Sequence, residues 1–174
     1  GPQFDLAQKI GITDYPAPSG GCLLTDPIFA RRVYDLLQHN ELNMENVELL
    51  RLGRYFRLNP QFKFIVGRNE KDNFTLCNKA KPGDYIFTPS HKKGPTGLGK
   101  GIIDQNSEQL SANIIAHYSS SQTQPLFINL QRVSYPSVKN ITPLPIPTEK
   151  LEQYRVENYP IVLNRPKKEK VPSK

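Results

Sequence analysis

Between Lys63 and Leu98 short apolar runs alternate with sharp corners, and no other stretch restricts the fold as tightly. Phe62 to Val66 is apolar enough for a strand and runs straight into Gly67-Arg68-Asn69. A polar segment of helical length follows and is broken by Lys81-Pro82-Gly83. Asp84 to Thr88 reads as a second strand, and Gly94-Pro95 as a turn. This order of strand, corner, helix and strand predicts an α+β fold. The corner sets an arginine and amide side chains beside exposed backbone, with no nucleophile, acid/base pair or metal-ligand set. Such a corner suits holding an anion rather than transforming one.

The flanks extend the pattern. Asp26-Pro27 opens a helix in which Asp26 caps and Pro27 takes the first helical position. Ile28, Phe29, Val33, Leu36 and Leu37 then fall on one face, with Arg31, Arg32 and Asp35 largely on the other. A second short helix covers Met44 to Leu50, with Asn43 as its cap. Residues 54–58 and 62–66, joined by Asn59-Pro60, form a hairpin. A helix over 69–79 is expected to turn Phe74 and Cys77 inward. A helix over 107–119 buries Leu110, Ile114 and Ile115 and ends near Tyr118, and Pro125 to Val133 is a strand. The expected architecture is a small mixed β-sheet (54–58, 62–66, 84–88, 125–133) with two packed helices and an N-terminal helical appendage.

The segmentation expected is a cloning remnant at 1–3, a helical appendage and linker at 4–50 with a Gly20-Gly21-Cys22 loop, a core at 51–135, and a proline-rich basic extension at 136–174. The helix-like segment Phe4 to Ile10 points to a fragment of a longer protein.

Charge narrows the class of partner. Lysine and arginine number 23 against 16 acidic residues, a net +7, which favours phosphate-bearing partners and, among them, nucleic acid. The two cysteines, Cys22 and Cys77, form no CxxC, so neither a zinc knuckle nor a disulfide framework is expected and a reducing cytoplasm fits. His39, His91 and His117 share no ligand spacing. No apolar run is of membrane-spanning length, so no membrane partner is expected. The chain by itself is expected to need no cofactor and to catalyse nothing.

Several residues are candidates for contact. Arg68, Asn69 and Asn73 combine a guanidinium fork with the free amides of a helix start. The bland alternative is a structural corner in which Arg68 pairs with Asp84 and Asn69 caps the helix. Arg54, Tyr55, Arg57, Lys63 and Lys71 interleave with Phe56 and Phe64, a pattern suited to RNA, where rings stack on bases and cations follow phosphates. Tyr55 is the ring expected at the surface. Lys92, Lys93 and Lys100 lie in a basic glycine-rich segment, where Gly94 to Gly101 nearly matches the phosphate-loop pattern GxxxxGK[ST] but ends in glycine in place of the hydroxyl. The alternative there is a flexible basic hairpin loop. Cys22, just ahead of a helix start, is either a reactive thiol, the one catalytic candidate, or a small packed residue.

Taken together, Val66-Gly67-Arg68-Asn69 with Asn73 and Leu76, the strand Asp84-Tyr85-Ile86-Phe87, the turn Gly94-Pro95, and Ala112 through Ala116-His117-Tyr118-Ser119 resemble the NFACT RNA-binding domain. Gly11 to Pro27, with Tyr15-Pro16-Ala17-Pro18-Ser19-Gly20-Gly21-Cys22, looks like the linker of one branch, in which this domain follows a PP-loop ATPase domain of the tRNA thiouridine synthetase type. The resemblance implies an accessory module that binds tRNA or other structured RNA and presents it to that N-terminal domain, where ATP would be bound. The parent protein would then be an ATP-dependent tRNA sulfurtransferase. It marks Arg68, Asn69, Asn73 and Asp84 as family-like positions. Other branches carry Asp-Trp-x-His at the second strand, where this chain has Asp84-Tyr85-Ile86-Phe87. Two alternatives stand beside this: Cys22 as a sulfur carrier or cluster ligand in thiolation, and a protein–protein adaptor in a ribosome-associated complex.

Overall fold

The computed structural model describes residues 26–91, 93–120 and 127–159. Asp26 caps helix α1 (Pro27–Gln38) by accepting from the Ile28 and Phe29 amides. Asn43 caps helix α2 (Met44–Leu49) by accepting from the Asn46 amide. Strands β1 (Arg54–Asn59) and β2 (Phe62–Val66) form the expected hairpin. Helix α3 (Glu70–Lys79) leads to β3 (Tyr85–Pro89), β4 (Gly97–Gly101) and helix α4 (Gln105–His117). Asp104 and Ser107 close a reciprocal capping box at the start of α4. Strands β5 (Ile128–Arg132) and β6 (Val138–Ile141), helix α5 (Thr148–Glu152) and a 3₁₀ turn (Val156–Asn158) complete the described chain.

The α+β expectation holds, but the sheet is antiparallel throughout rather than mixed. Its six strands run β1-β2-β4-β3-β5-β6. The main difference from the sequence reading is β4. Gly97-Leu98-Gly99-Lys100-Gly101 reads as a loop, yet it is inserted between β2 and β3. The glycines there make room for aromatic rings. A Cβ on Gly97 would lie 2.3 Å from Cζ of Phe64, and one on Gly99 would lie 2.3 Å from Cζ of Phe62. The two rings lie across β4, which is why a glycine-rich strand forms at the sheet centre. Residues 97–101 pair with β2, and 97–99 also with β3, so this backbone is committed to the sheet and does not cradle phosphate.

Both faces of the sheet are covered. Phe56, Leu58, Phe62, Phe64, Val66 and Phe87 pack against Leu110, Ile114 and Ile115 of α4 and Leu151 of α5. Tyr55, Ile65 and Leu98 point the other way, into Phe29, Leu36, Val47, Leu49 and Leu76 of α1, α2 and α3. The helices between 26 and 50, expected as an appendage, therefore share the sheet's own core. On α3 the inward residues are Asp72 and Leu76, while Phe74 and Cys77, expected inward, are exposed. Asp72 displaces them because its carboxylate serves the corner before the helix, accepting from the Arg68 amide at 3.0 Å. The helical segment Phe4 to Ile10, the loop around Cys22, the first residues of the strand expected from Pro125 and the basic tail lie outside the described residues.

The face under α1 and α2 also carries a row of charge. Arg57, Lys63 and Lys100 are in register on three neighbouring strands. Asp35 of α1 pairs with Arg57 at 2.7 Å. Glu41 takes Arg57 at 2.9 Å and Lys63 at 3.0 Å on one oxygen. Asp84 and Glu45 hold Lys100 at 2.5 and 3.3 Å. Burial works against the Arg57 charge, but hydrogen bonds to Glu41 and Asp35 outweigh it and raise the pKa. Burial lowers the Lys63 pKa against the pull of Glu41. Beyond this row, Arg32 donates to Glu157 and to the Leu50 and Gly53 carbonyls, tying α1 to the end of the described chain.

Two predictions follow from packing and charge. Gly97→Ala forces a methyl into the Phe64 ring and Ile115, and is expected to cost about 1–3 kcal/mol, read as a lower urea midpoint at unchanged slope. The second concerns pH. Burial raises the carboxyls of Glu41 and Glu157, but arginine and lysine partners outweigh it and hold both below their ordinary 4.5. A depressed carboxyl contributes stability that is complete above its unfolded value and is lost as the pH falls through its folded one. The denaturant midpoint should therefore decline below pH 4.5, and Glu41→Gln should shrink that decline.

Candidate functional site

At one end of the sheet five elements meet around a corner. Arg54 opens β1 opposite Val66, on the α4 face, by the two-residue period that also turns Phe56 there. Its Nη1 donates to the Gly67 carbonyl at 3.1 Å. Its guanidinium lies 4.0 Å from the ring centroid of Tyr118, the cap residue at the end of α4. Asn69 caps α3, accepting from the Asp72 amide at 2.8 Å. Arg68 donates from Nε to Asp72 at 2.9 Å and from Nη2 to the Arg51 carbonyl at 3.0 Å, while half its side chain stays exposed. Asn73 Oδ1 accepts from the Thr96 amide at 3.0 Å and so ties α3 to the turn before β4. Glycine at 67 permits this approach, since a Cβ there would lie 2.0 Å from Asn73 Oδ1.

These residues enclose an open pocket of about 220 Å³. Arg54 and Tyr118 form one wall, Gly67 to Glu70 with Asn73 a second, and Gly94-Pro95 the third. Burial lowers the Arg54 pKa, as do neighbouring Arg155 and Arg68, while Tyr118 and Asp72 act in the opposite sense. An arginine stays charged in any case. Burial pushes the Tyr118 phenol up against the pull of Arg155 and Arg54, so it stays a neutral hydroxyl. The pocket thus brings two guanidiniums, two carboxamides and an aromatic face together, with Glu70 as its one lining carboxylate. Planar guanidinium forks match phosphate oxygens, and the pocket lining supplies no nucleophile or proton-transfer pair. Among the described residues no three His, Cys, Asp or Glu side chains gather to hold a metal ion, and no helix is long and apolar enough to cross a membrane.

The pocket collects Arg54, Arg68, Asn69, Asn73, Gly94 and Pro95, six of the residues singled out from sequence. Others belong elsewhere. Tyr55, the ring expected at the surface, is 1% exposed, and its hydroxyl donates to Asp35 at 3.0 Å. Arg57, Lys63 and Lys100 are buried in the ion pairs beneath α1 and α2, because strand alternation turns them away from Arg54. None of these four is placed to meet an external polyanion. Asp84 serves Lys100, accepts from the Lys81 amide at 2.8 Å, and does not pair with Arg68. Arg68 pairs with Asp72 instead, and Asn69 does cap. Lys71 and Lys93 are exposed, and Lys92 and Cys22 lie outside the described residues. Two contributors went unread. Tyr118 was legible as a helix end and as part of the family-like Ala116-His117-Tyr118-Ser119 run but not as a contact residue, and Arg155, which reaches Tyr118 from beyond α5, leaves no local signal.

Comparison with known proteins agrees with the corner motif. The model of a family described as "NFACT protein RNA binding domain" matches residues 53–155, more than half of the chain. Among solved structures, the C-terminal part of the fibronectin/fibrinogen-binding protein from Streptococcus suis superposes with a TM-score of 0.50 at 14% identity. That likeness covers 74% of this chain and 66% of that one, and speaks for the fold. No curated protein matches the chain.

Proposed function

This chain belongs to the NFACT protein RNA binding domain family, and we propose that it binds structured RNA through the Arg54–Arg68 pocket. The observation that carries the reading is convergence. Residues 54, 67–70, 73, 94–95 and 118 include positions far apart in sequence, yet they build one opening with two arginines in its wall. A phosphate seated there accepts from both guanidiniums, and Asn69 and Asn73 offer carboxamides for ribose or base edges. Lys71 and Lys93, both exposed, extend the attraction to neighbouring phosphates.

We further propose tRNA as the RNA, and presentation of it to an N-terminal PP-loop ATPase domain of a cytoplasmic sulfur-modification enzyme. The support is the similarity of Gly11 to Pro27 to the linker of that branch. In this arrangement ATP belongs to the partner domain, and the present chain supplies binding and orientation.

The test is filter binding of tRNA over a salt series. Arg54→Ala combined with Arg68→Ala is expected to weaken binding about tenfold or more. It should also flatten the slope of log K against log salt by about one to two units, since each lost phosphate contact removes about 0.7–0.9. Parent-like affinity and slope in a double variant that keeps its circular-dichroism spectrum would refute the assignment.

A further inference from the structure

Phe74 is an anomaly that phosphate binding leaves unexplained. It is 70% exposed, the most exposed of the large apolar side chains among the described residues. A ring left in water on a stable helix forgoes the gain that burial would give. Its position is specific. Glu70, Asn73, Phe74 and Cys77 follow the i, i+3, i+4, i+7 spacing and share one stripe of α3. Glu70 and Asn73 line the pocket, and the Cys77 thiol is hydrogen-bonded with Thr96 on the turn that closes it. Phe74 itself does not line the pocket; it lies next along the stripe from Glu70 and Asn73, which do, with exposed Lys71 three residues before it on the same helix.

A ring beside a cation at the edge of an anion pocket is the arrangement that single-stranded nucleic acid uses. The phosphate is held by charge while the base stacks on the ring. We propose that Phe74 is the stacking platform for an unpaired nucleobase of the RNA whose phosphate occupies the Arg54–Arg68 pocket. This rests on the RNA-binding reading and deepens it. The domain would then discriminate loops and unpaired ends from continuous duplex, because a stacked-in base cannot reach the ring.

The sequence contains no tryptophan, so Phe74→Trp installs a single fluorescent reporter at the site. A hairpin RNA with an unpaired loop and a blunt duplex with the same number of phosphates serve as probes. The hairpin is expected to quench the tryptophan of Phe74→Trp on saturation, and the duplex to leave it bright. Phe74→Ala should weaken hairpin binding about tenfold while duplex binding and the salt slope stay at parent values. Phe74→Trp should retain parent affinity. Unquenched fluorescence together with parent-like hairpin affinity of Phe74→Ala would overturn the stacking role. If the Arg54→Ala, Arg68→Ala variant still loses binding in that case, the pocket assignment survives alone. Equal losses on hairpin and duplex would also overturn it, since they mark Phe74 as a general contact. Absence of any RNA binding by the parent protein removes both readings together.

Discussion

Three cations laid side by side across neighbouring strands would repel one another, and the structure depends on how that repulsion is cancelled. Arg57, Lys63 and Lys100 face the same side of the sheet in register. Like charges directly opposed across strands are destabilising. Asp35, Glu41, Glu45 and Asp84 neutralise the row, and Glu41 bridges two of its members. The first three of these acids come from α1, α2 and the segment between them, so the helices before β1 must close over that face. Removing one partner from a buried pair of this kind typically costs about 3–5 kcal/mol, because the other charge is stranded. The network thereby fixes which side of the sheet is sealed.

That seal determines where function can sit. Net charge alone credits every lysine and arginine to the surface, yet Arg32, Arg57, Lys63 and Lys100 are spent inside the protein. Among the described residues, Arg54 and Arg68 converge at the end of the sheet, with Lys71 and Lys93 exposed in the surrounding chain. Arg54 differs from Arg57 by three positions, and therefore by face. The strand period places one in the pocket wall and the other in the buried network. Gly67 and Asn73 then bring α3 against the β3–β4 turn, so the corner is preorganised.

The corner was legible because its chemistry is local. Asn69 as a cap, Arg68 at the bend, Asn73 one turn later and the Gly94-Pro95 turn are each signalled by near neighbours in sequence. The strands of the hairpin and the helix before His117 were legible from apolar periodicity. What escaped was non-local. β4 looked like a loop because glycines usually weaken strands, and only the Phe62 and Phe64 rings of another strand make them necessary. Tyr55 was misread since the acid that takes its hydroxyl, Asp35, lies on α1. Phe74 was misread because an inward apolar residue is the default on a helix, while here Asp72 takes that side to bind Arg68. Arg155 meets Tyr118 from far along the chain, a separation in sequence that leaves no local signal.

The central claim is that RNA meets the corner at the end of the sheet and not the sealed face. Titration of the labelled protein with tRNA, followed by amide chemical shifts in NMR, tests this most directly. The shifts are expected to cluster at Arg68 to Phe74, Thr96 and Tyr118, with Asp35, Glu41, Lys63 and Lys100 unmoved. Shifts gathered on α1 and α2, or spread evenly over the surface without a focus at the corner, would contradict it.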